Sequence, residues 1–275
     1  MLRRIQGLPD SSAIPALHLL LGVAPIEALI HIRALSLFRN IIAAEKSSPP
    51  SIFVRELIIR QLAVKDINSN SWAAYIRKVL LKYRLPKPSD IINSTPKKKH
   101  WARMVKNAVL EHWHSVLVEQ AKEKKSLSLL GLDNCTLSDL HPVWKYISSH
   151  LDILKATVKA KLLIQRYPLL TCKTAGQQRS VVCALCKREP ETTEHFLLYC
   201  PALQKERNNY LPKILNTCRE KSIEIGSEEL TKIILDTNCY SKDDSAHEII
   251  CRNMIFKLHN KRAILLGGDR WYKIK

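Results

Sequence analysis

The chain has 275 residues, of which 44 are Lys or Arg and 25 are Asp or Glu, a formal net charge of +19. A hydrophobic share of 46% can fill a core, and this length suits one large domain or two smaller ones. Seven glycines and long periodic apolar runs argue against a turn-rich all-β fold, and the basic excess, present in both halves, points to a polyanionic partner, nucleic acid ahead of an acidic membrane surface.

The N-terminal residues loosely mimic a signal peptide: Arg3 and Arg4 precede the apolar run 14–24. Asp10, Pro15 and His18 interrupt the pattern, and an amphipathic helix follows directly. The window 13–30 is long enough to span a membrane but holds two prolines, His18 and Glu27, so no membrane partner is expected.

Residues 14–22 read as a short helix stopped by Gly22, and Pro25 opens a second over 26–44. A loop over 46–50 leads to helices over 52–64 and 71–83, the latter capped by Ser69 or Ser71. Residues 85–88 form a proline connector. Thr95 and Pro96 are expected to cap and open the longest helix, to about Lys125. Trp101, Val105, Val109, Trp113 and Leu117 fall at helical spacing on its core face, while His112 and His114, two apart, face different sides. Lys97, Lys98 and Lys99 at its amino end oppose the helix dipole, which a phosphate backbone or a solvated loop would offset.

Residues 126–139 are of looser composition and form the candidate boundary, giving domains over 1–130 and 131–275. A helix over 152–167 carries Lys155, Lys159 and Arg166 among apolar residues and is expected to end at Pro168. The polar stretch 169–180 leads into Val181–Pro201. Helices over 202–218, 227–235 and 247–266 follow, the last stopped by Gly267 and Gly268.

The stretch 181–201 holds Cys183, Cys186, His195 and Cys200, spaced C-x2-C-x8-H-x4-C. Three thiolates and an imidazole suit one tetrahedral zinc ion, and four protein ligands close its shell, so the metal is expected to be structural. Thr192 or Thr193 can cap a short helix with His195 in its first turn. Cys200 lies five residues on, off the His195 face of a regular helix, so the helix is expected to end at Pro201 and let the thiolate turn back. The competing reading is four small buried residues that fall near one another. Of the eight cysteines, Cys135, Cys172, Cys218, Cys239 and Cys251 remain; an odd remainder without framework spacing argues for a reducing compartment.

Polymerase chemistry needs metal-binding carboxylates, as in a Tyr-x-Asp-Asp turn. The adjacent aspartates are Asp243 and Asp244, and Tyr240 precedes them by one residue too many, so they read as helix-start charges. There is no phosphate-cradling glycine loop and no Gly-x-Ser-x-Gly.

The knuckle with its trailer, CALCKREPETTEHFLLYCPALQKER, resembles the zinc-binding domain in the C-terminal part of non-LTR (LINE-type) retrotransposon reverse transcriptase polyproteins. LRRIQGLPDSSAIPALHLLLGVAPIEALIHIRALSLF resembles the helical region after that family's palm, and HPVWKY, VKAKLL and KLHNKRAILLG fit its layout. Where related chains often show a Thr-Gly-Thr-Tyr-like turn, this one has Ile164, Gln165, Arg166 and Tyr167. The resemblance implies zinc ligation by Cys183, Cys186, His195 and Cys200, and the family's catalytic aspartates and endonuclease have no counterpart in the sequence. The start at Met1 suggests a truncated copy or a short open reading frame.

The expectation is a mainly α protein: a bundle-like N-terminal part, then a small zinc knuckle embedded between helices. Its expected role is non-catalytic, positioning RNA template or target DNA, inside the cell in nucleus or cytoplasm, with the parent's polymerase part as a further partner. Lys173, Arg179, Lys187 and Arg188 join Lys97, Lys98 and Lys99 as candidate phosphate contacts. Phe196 and Tyr199 either stack on bases or pack the knuckle. The rivals are a protein-interaction scaffold with a structural zinc knuckle, a complete polymerase or nuclease, and a decayed copy without function.

Overall fold

A computed structural model describes residues 1–44, 49–63, 69–170, 181–220, 226–239 and 244–267. The fold is mainly α: among the described residues no strand forms beyond one antiparallel bridge between Val182 and Pro190. The helices are α1 (Leu2–Ile5), α2 (Ile14–Leu21), α3 (Ile26–Ile42), α4 (Pro49–Ala63), α5 (Trp72–Lys82), α6 (Pro88–Asn93), α7 (Lys98–Lys122), α8 (His150–Leu163), α9 (Gln204–Asn208), α10 (Leu211–Glu220), α11 (Ser227–Leu235) and α12 (Ser245–Leu265).

The chain forms two compact units, one of residues 1–23 with 117–275 and the other of residues 24–116. This differs from the expected division at 130, because residues 126–139 are not a linker: Leu127, Leu130, Cys135 and Leu137 are buried. The segment 1–23 belongs with the C-terminal unit for a similar reason. α2 buries Pro15, Ala16, Leu17, Leu19 and Leu20, and its end is fixed by His141, whose backbone N–H donates to the Leu20 carbonyl (3.1 Å). Gly22 then closes α2 with φ +62°, and a Cβ there would sit 2.1 Å from the Asp139 carbonyl oxygen. Backbone conformation and close approach both require glycine at that position.

In unit 2, α3, α5, α6 and the first part of α7 share a core of Leu35, Phe38, Ile76, Leu80, Ile91, Val105 and Trp101, the last 1% exposed. The Trp101 indole donates to the Leu35 carbonyl (3.0 Å), and the Trp113 indole donates to the Tyr83 hydroxyl (3.0 Å). Ser71 is the cap of α5, accepting from the Ala74 N–H (3.2 Å). Three local expectations are corrected. α4 starts at Pro49, so both prolines sit in its first turn, where missing N–H groups cost nothing. A short α6 begins at Pro88, within the expected connector. Thr95 donates its hydroxyl to the Ile91 carbonyl (3.0 Å), so it closes α6, and α7 begins only at Lys98.

In unit 1, α8 and α12 pack together, with α10 and α11 beside α12 or α8. α8 ends at Leu163, before Pro168. Gln165 takes φ +51°, and the Arg166 and Tyr167 N–H groups both donate to the Lys161 carbonyl. The expected helix over 202–218 is divided into a 3-10 turn, α9 and α10, since Pro212 lacks the N–H and blocks a straight continuation. Asp244 caps α12, accepting from the His247 N–H (2.9 Å), as expected of a helix-start charge; Tyr240 and Asp243 lie outside the described residues.

Unit 1 also buries charge. Glu248 meets Lys159 (2.6 Å), Arg252 (3.2 Å) and the Thr237 hydroxyl (2.6 Å). Asp236 pairs with His141 (3.1 Å) and accepts from the Gly131 N–H (2.7 Å) and Asn238 N–H (2.9 Å). The buried charges are thus paired, although Glu248 Oε1 has only its ion pair with Arg252 and no hydrogen bond.

Candidate metal centre

A small hairpin carries the first two cysteines. The Cys183 N–H donates to the Glu189 carbonyl (2.7 Å) and the Glu191 N–H to the Val181 carbonyl (2.8 Å). Within it the Lys187 N–H donates back to the Cys183 carbonyl (2.8 Å), and Lys187 takes φ +54°. The chain thereby turns tightly enough to bring two side chains three residues apart toward one point.

The third and fourth residues come from a different device. The Thr192 hydroxyl accepts from the His195 N–H (2.9 Å), so Thr192 is the cap. His195–Tyr199 then forms a π-helix, closed by the Cys200 N–H donating to the His195 carbonyl (2.8 Å). The helix ends before Pro201 as expected, but it is a π-helix and not a regular one. The wider turn, with hydrogen bonds five residues apart, brings Cys200 round to the His195 side without breaking the chain's hydrogen bonding. Pro201 starts a 3-10 turn immediately after.

The three sulfurs and one imidazole nitrogen lie within 4.8 Å of one another. Cys183 Sγ is 3.9 Å from Cys200 Sγ, and Cys186 Sγ is 3.4 Å from His195 Nε2. Cys183, His195 and Cys200 are buried and Cys186 is half-buried. These four residues can hold a metal ion, and among the described residues they are the one such group. Burial works to raise the Cys186 thiol, but the Arg188 and Glu189 N–H groups, with Cys183 and His195, bring it down to about 7. Burial and the neighbouring Cys183 push Cys200 up to about 12, so an ion must displace a tightly held proton there.

Several supporting residues carry no sequence signal. Glu189 Oε2 lies 3.0 Å from His195 Nδ1, which leaves Nε2 facing the sulfurs. Glu191 is 1% exposed and pairs with Arg262 of α12 through both oxygens (2.8 and 3.1 Å), while accepting from the Leu170 N–H (2.8 Å). Arg207 of α9 donates to the carbonyls of Leu197 (2.8 Å) and Cys200 (3.0 Å) and to Gln204 Oε1 (2.7 Å).

The expected phosphate contacts are not gathered in one unit. Lys187 and Arg188 are exposed on the cysteine hairpin of unit 1, and Lys97, Lys98 and Lys99 are exposed at the start of α7 in unit 2. Lys173 and Arg179 lie outside the described residues. Of the two aromatic candidates, Phe196 is 1% exposed and packs on Tyr167 with ring centroids 5.5 Å apart, so its place in the core excludes base stacking. Tyr199 is 51% exposed.

Comparison with protein-family models, with curated proteins and with solved structures finds no match to this chain. No single helix among the described residues is long and apolar enough to cross a membrane.

Proposed function

We propose that the chain is a non-catalytic helical module held together by one structural zinc ion and that it binds nucleic acid, in the manner of the C-terminal part of non-LTR retrotransposon polyproteins, which its sequence resembles. The observation that carries the reading is the Cys3His cluster. Zinc with sulfurs near 2.3 Å and nitrogen near 2.0 Å in a tetrahedron needs S–S edges of about 3.8 Å and S–N edges of about 3.5 Å. The 3.9 and 3.4 Å separations agree with that frame before any ion is placed in it. Four protein donors leave no open position for substrate, so the ion's contribution is to folding.

The net charge of +19 supports the nucleic-acid part of the reading. Lys97, Lys98 and Lys99 are exposed with no carboxylate paired to them among the described residues. The test is binding of a labelled single-stranded RNA and a DNA duplex over a salt series. Wild type is expected to lose affinity steeply with salt, and K97Q/K98Q/K99Q to flatten the log–log slope by about 2 to 3. No binding at low salt would remove the nucleic-acid reading.

A protein-interaction scaffold is the second reading, favoured by one feature of unit 2. A groove of about 620 Å³ opens between α4, α5 and α6, lined by Ile59, Leu62, Ala74, Leu81, Pro88 and Ile92. That reading predicts no salt-sensitive nucleic-acid binding, so the same salt series separates the two.

A further inference from the structure

The buried lysines and arginines among the described residues are Lys159, Arg207, Arg252 and Arg262. Three of them have a buried carboxylate: Lys159 and Arg252 share Glu248, and Arg262 has Glu191. Arg207 is 0% exposed, and its three hydrogen bonds go to neutral oxygens, the Leu197 and Cys200 carbonyls and Gln204 Oε1. A guanidinium cannot shed its proton to escape burial, so a fully buried one without a counter-charge carries a large desolvation cost. Its Nη2 group donates to the carbonyl of Cys200, one of the four metal-site residues.

The metal centre has the opposite imbalance. Three thiolates, one neutral imidazole and one divalent ion sum to a net charge of −1. We propose that Arg207 is the counter-charge of the Cys3His metal centre, so that the buried guanidinium and the anionic metal–thiolate cluster neutralise each other and metal binding is coupled to this arginine. The proposal rests on the zinc reading given above and goes beyond it. It makes Arg207 a positioning and charge-balancing residue that touches no metal, anchored through the Cys200 carbonyl. It also accounts for the place of α9: the helix follows Cys200 directly after a 3-10 turn, which folds its arginine back under the ligand.

The test uses the full chain, with zinc affinity measured by competition against a chromophoric chelator and the cobalt form examined by its sulfur-to-metal charge-transfer band. R207Q keeps the length and part of the hydrogen bonding but removes the charge, and R207K keeps the charge. R207Q is expected to bind zinc about 10- to 100-fold more weakly, the range for loss of a group behind the ligands. Its cobalt band should move to lower energy, because the sulfur electrons lose a stabilising positive charge. R207K is expected to stay within about threefold of wild type and to keep the wild-type band. R207Q within about threefold of wild type, or R207K falling as far as R207Q, overturns the proposal. If R207Q does not fold, R207K decides alone: folded with wild-type affinity and band supports the counter-charge, folded with the affinity lost refutes it. A wild type that takes up neither zinc nor cobalt defeats the metal reading itself, a different failure from a metal-loaded wild type indifferent to Arg207.

Discussion

Glu191→Gln isolates the tie between the metal-site hairpin and α12. Glu191 is buried, accepts from Arg262 Nε at 2.8 Å and Nη2 at 3.1 Å, and also accepts the Leu170 N–H at 2.8 Å. A glutamine keeps one acceptor oxygen, but its amide nitrogen must then face a donor: Arg262 Nε in the Oε1 place, or both Arg262 Nη2 and the Leu170 N–H in the Oε2 place. The Arg262 guanidinium, itself buried, is left without its charge partner. Breaking a buried pair by removing one member costs about 3–5 kcal/mol, most of it the uncompensated charge that remains. For a unit of this size each kcal/mol is worth roughly 2–4 °C, so the melting transition should fall by about 6–20 °C. The assay is thermal melting of zinc-loaded protein followed by circular dichroism, with E191Q, R262M and E191Q/R262M in parallel. Because the penalty lies in the orphaned charge, the double variant should be more stable than E191Q alone. A loss below about 1 kcal/mol in E191Q, or a double variant no better than E191Q, would refute the reasoning.

Two other perturbations have defined outcomes. Elemental analysis of wild type should find one zinc per chain, and Cys186→Ser should abolish it and remove metal-linked stability on the order of 10 kcal/mol from unit 1, which chelator-dependent melting reads directly. His259 is held near 4 by burial, with Arg262 and Lys161 adding to the effect, whereas the unfolded imidazole titrates near 6.5. The folded pKa is the lower one, so the unfolded chain takes up the proton first as pH falls. Stability should therefore drop by up to about 3 kcal/mol between roughly pH 6.5 and 4 in urea titrations, and His259→Gln should remove that part of the slope.

What could be read from the sequence was local. The helix over 227–235 appears with the expected bounds as α11, Gly22 ends α2, and Trp101, Val105 and Val109 point into the core of unit 2. Caps and periodicity are properties of a few neighbouring residues, so they survive any tertiary arrangement. The three cysteines and one histidine that can hold a metal ion were legible because their spacing alone brings donor types together. The π-helix that lets Cys200 join His195 was not, since a five-residue interval is compatible with a broken helix as well. Charge pairs were invisible for a further reason. Lys159 reads as one polar residue on an amphipathic helix, and only the fold supplies Glu248, 89 residues away, that allows its complete burial. The division into units failed in the same way: the looseness of residues 126–139 is compositional, while their burial depends on the partners they meet.

Unit 2 is an uninterrupted stretch of chain, whereas unit 1 is assembled from a short leading piece and everything after residue 116. During synthesis these two have different fates. Residues 24–116 leave the ribosome complete and can fold as they emerge, but α2 must wait, its apolar face uncovered, until the residues around Asp139 and His141 have been made. Nascent chains therefore pass through a stage with one finished unit and one unsatisfied helix, the stage at which a chaperone or self-association would find them.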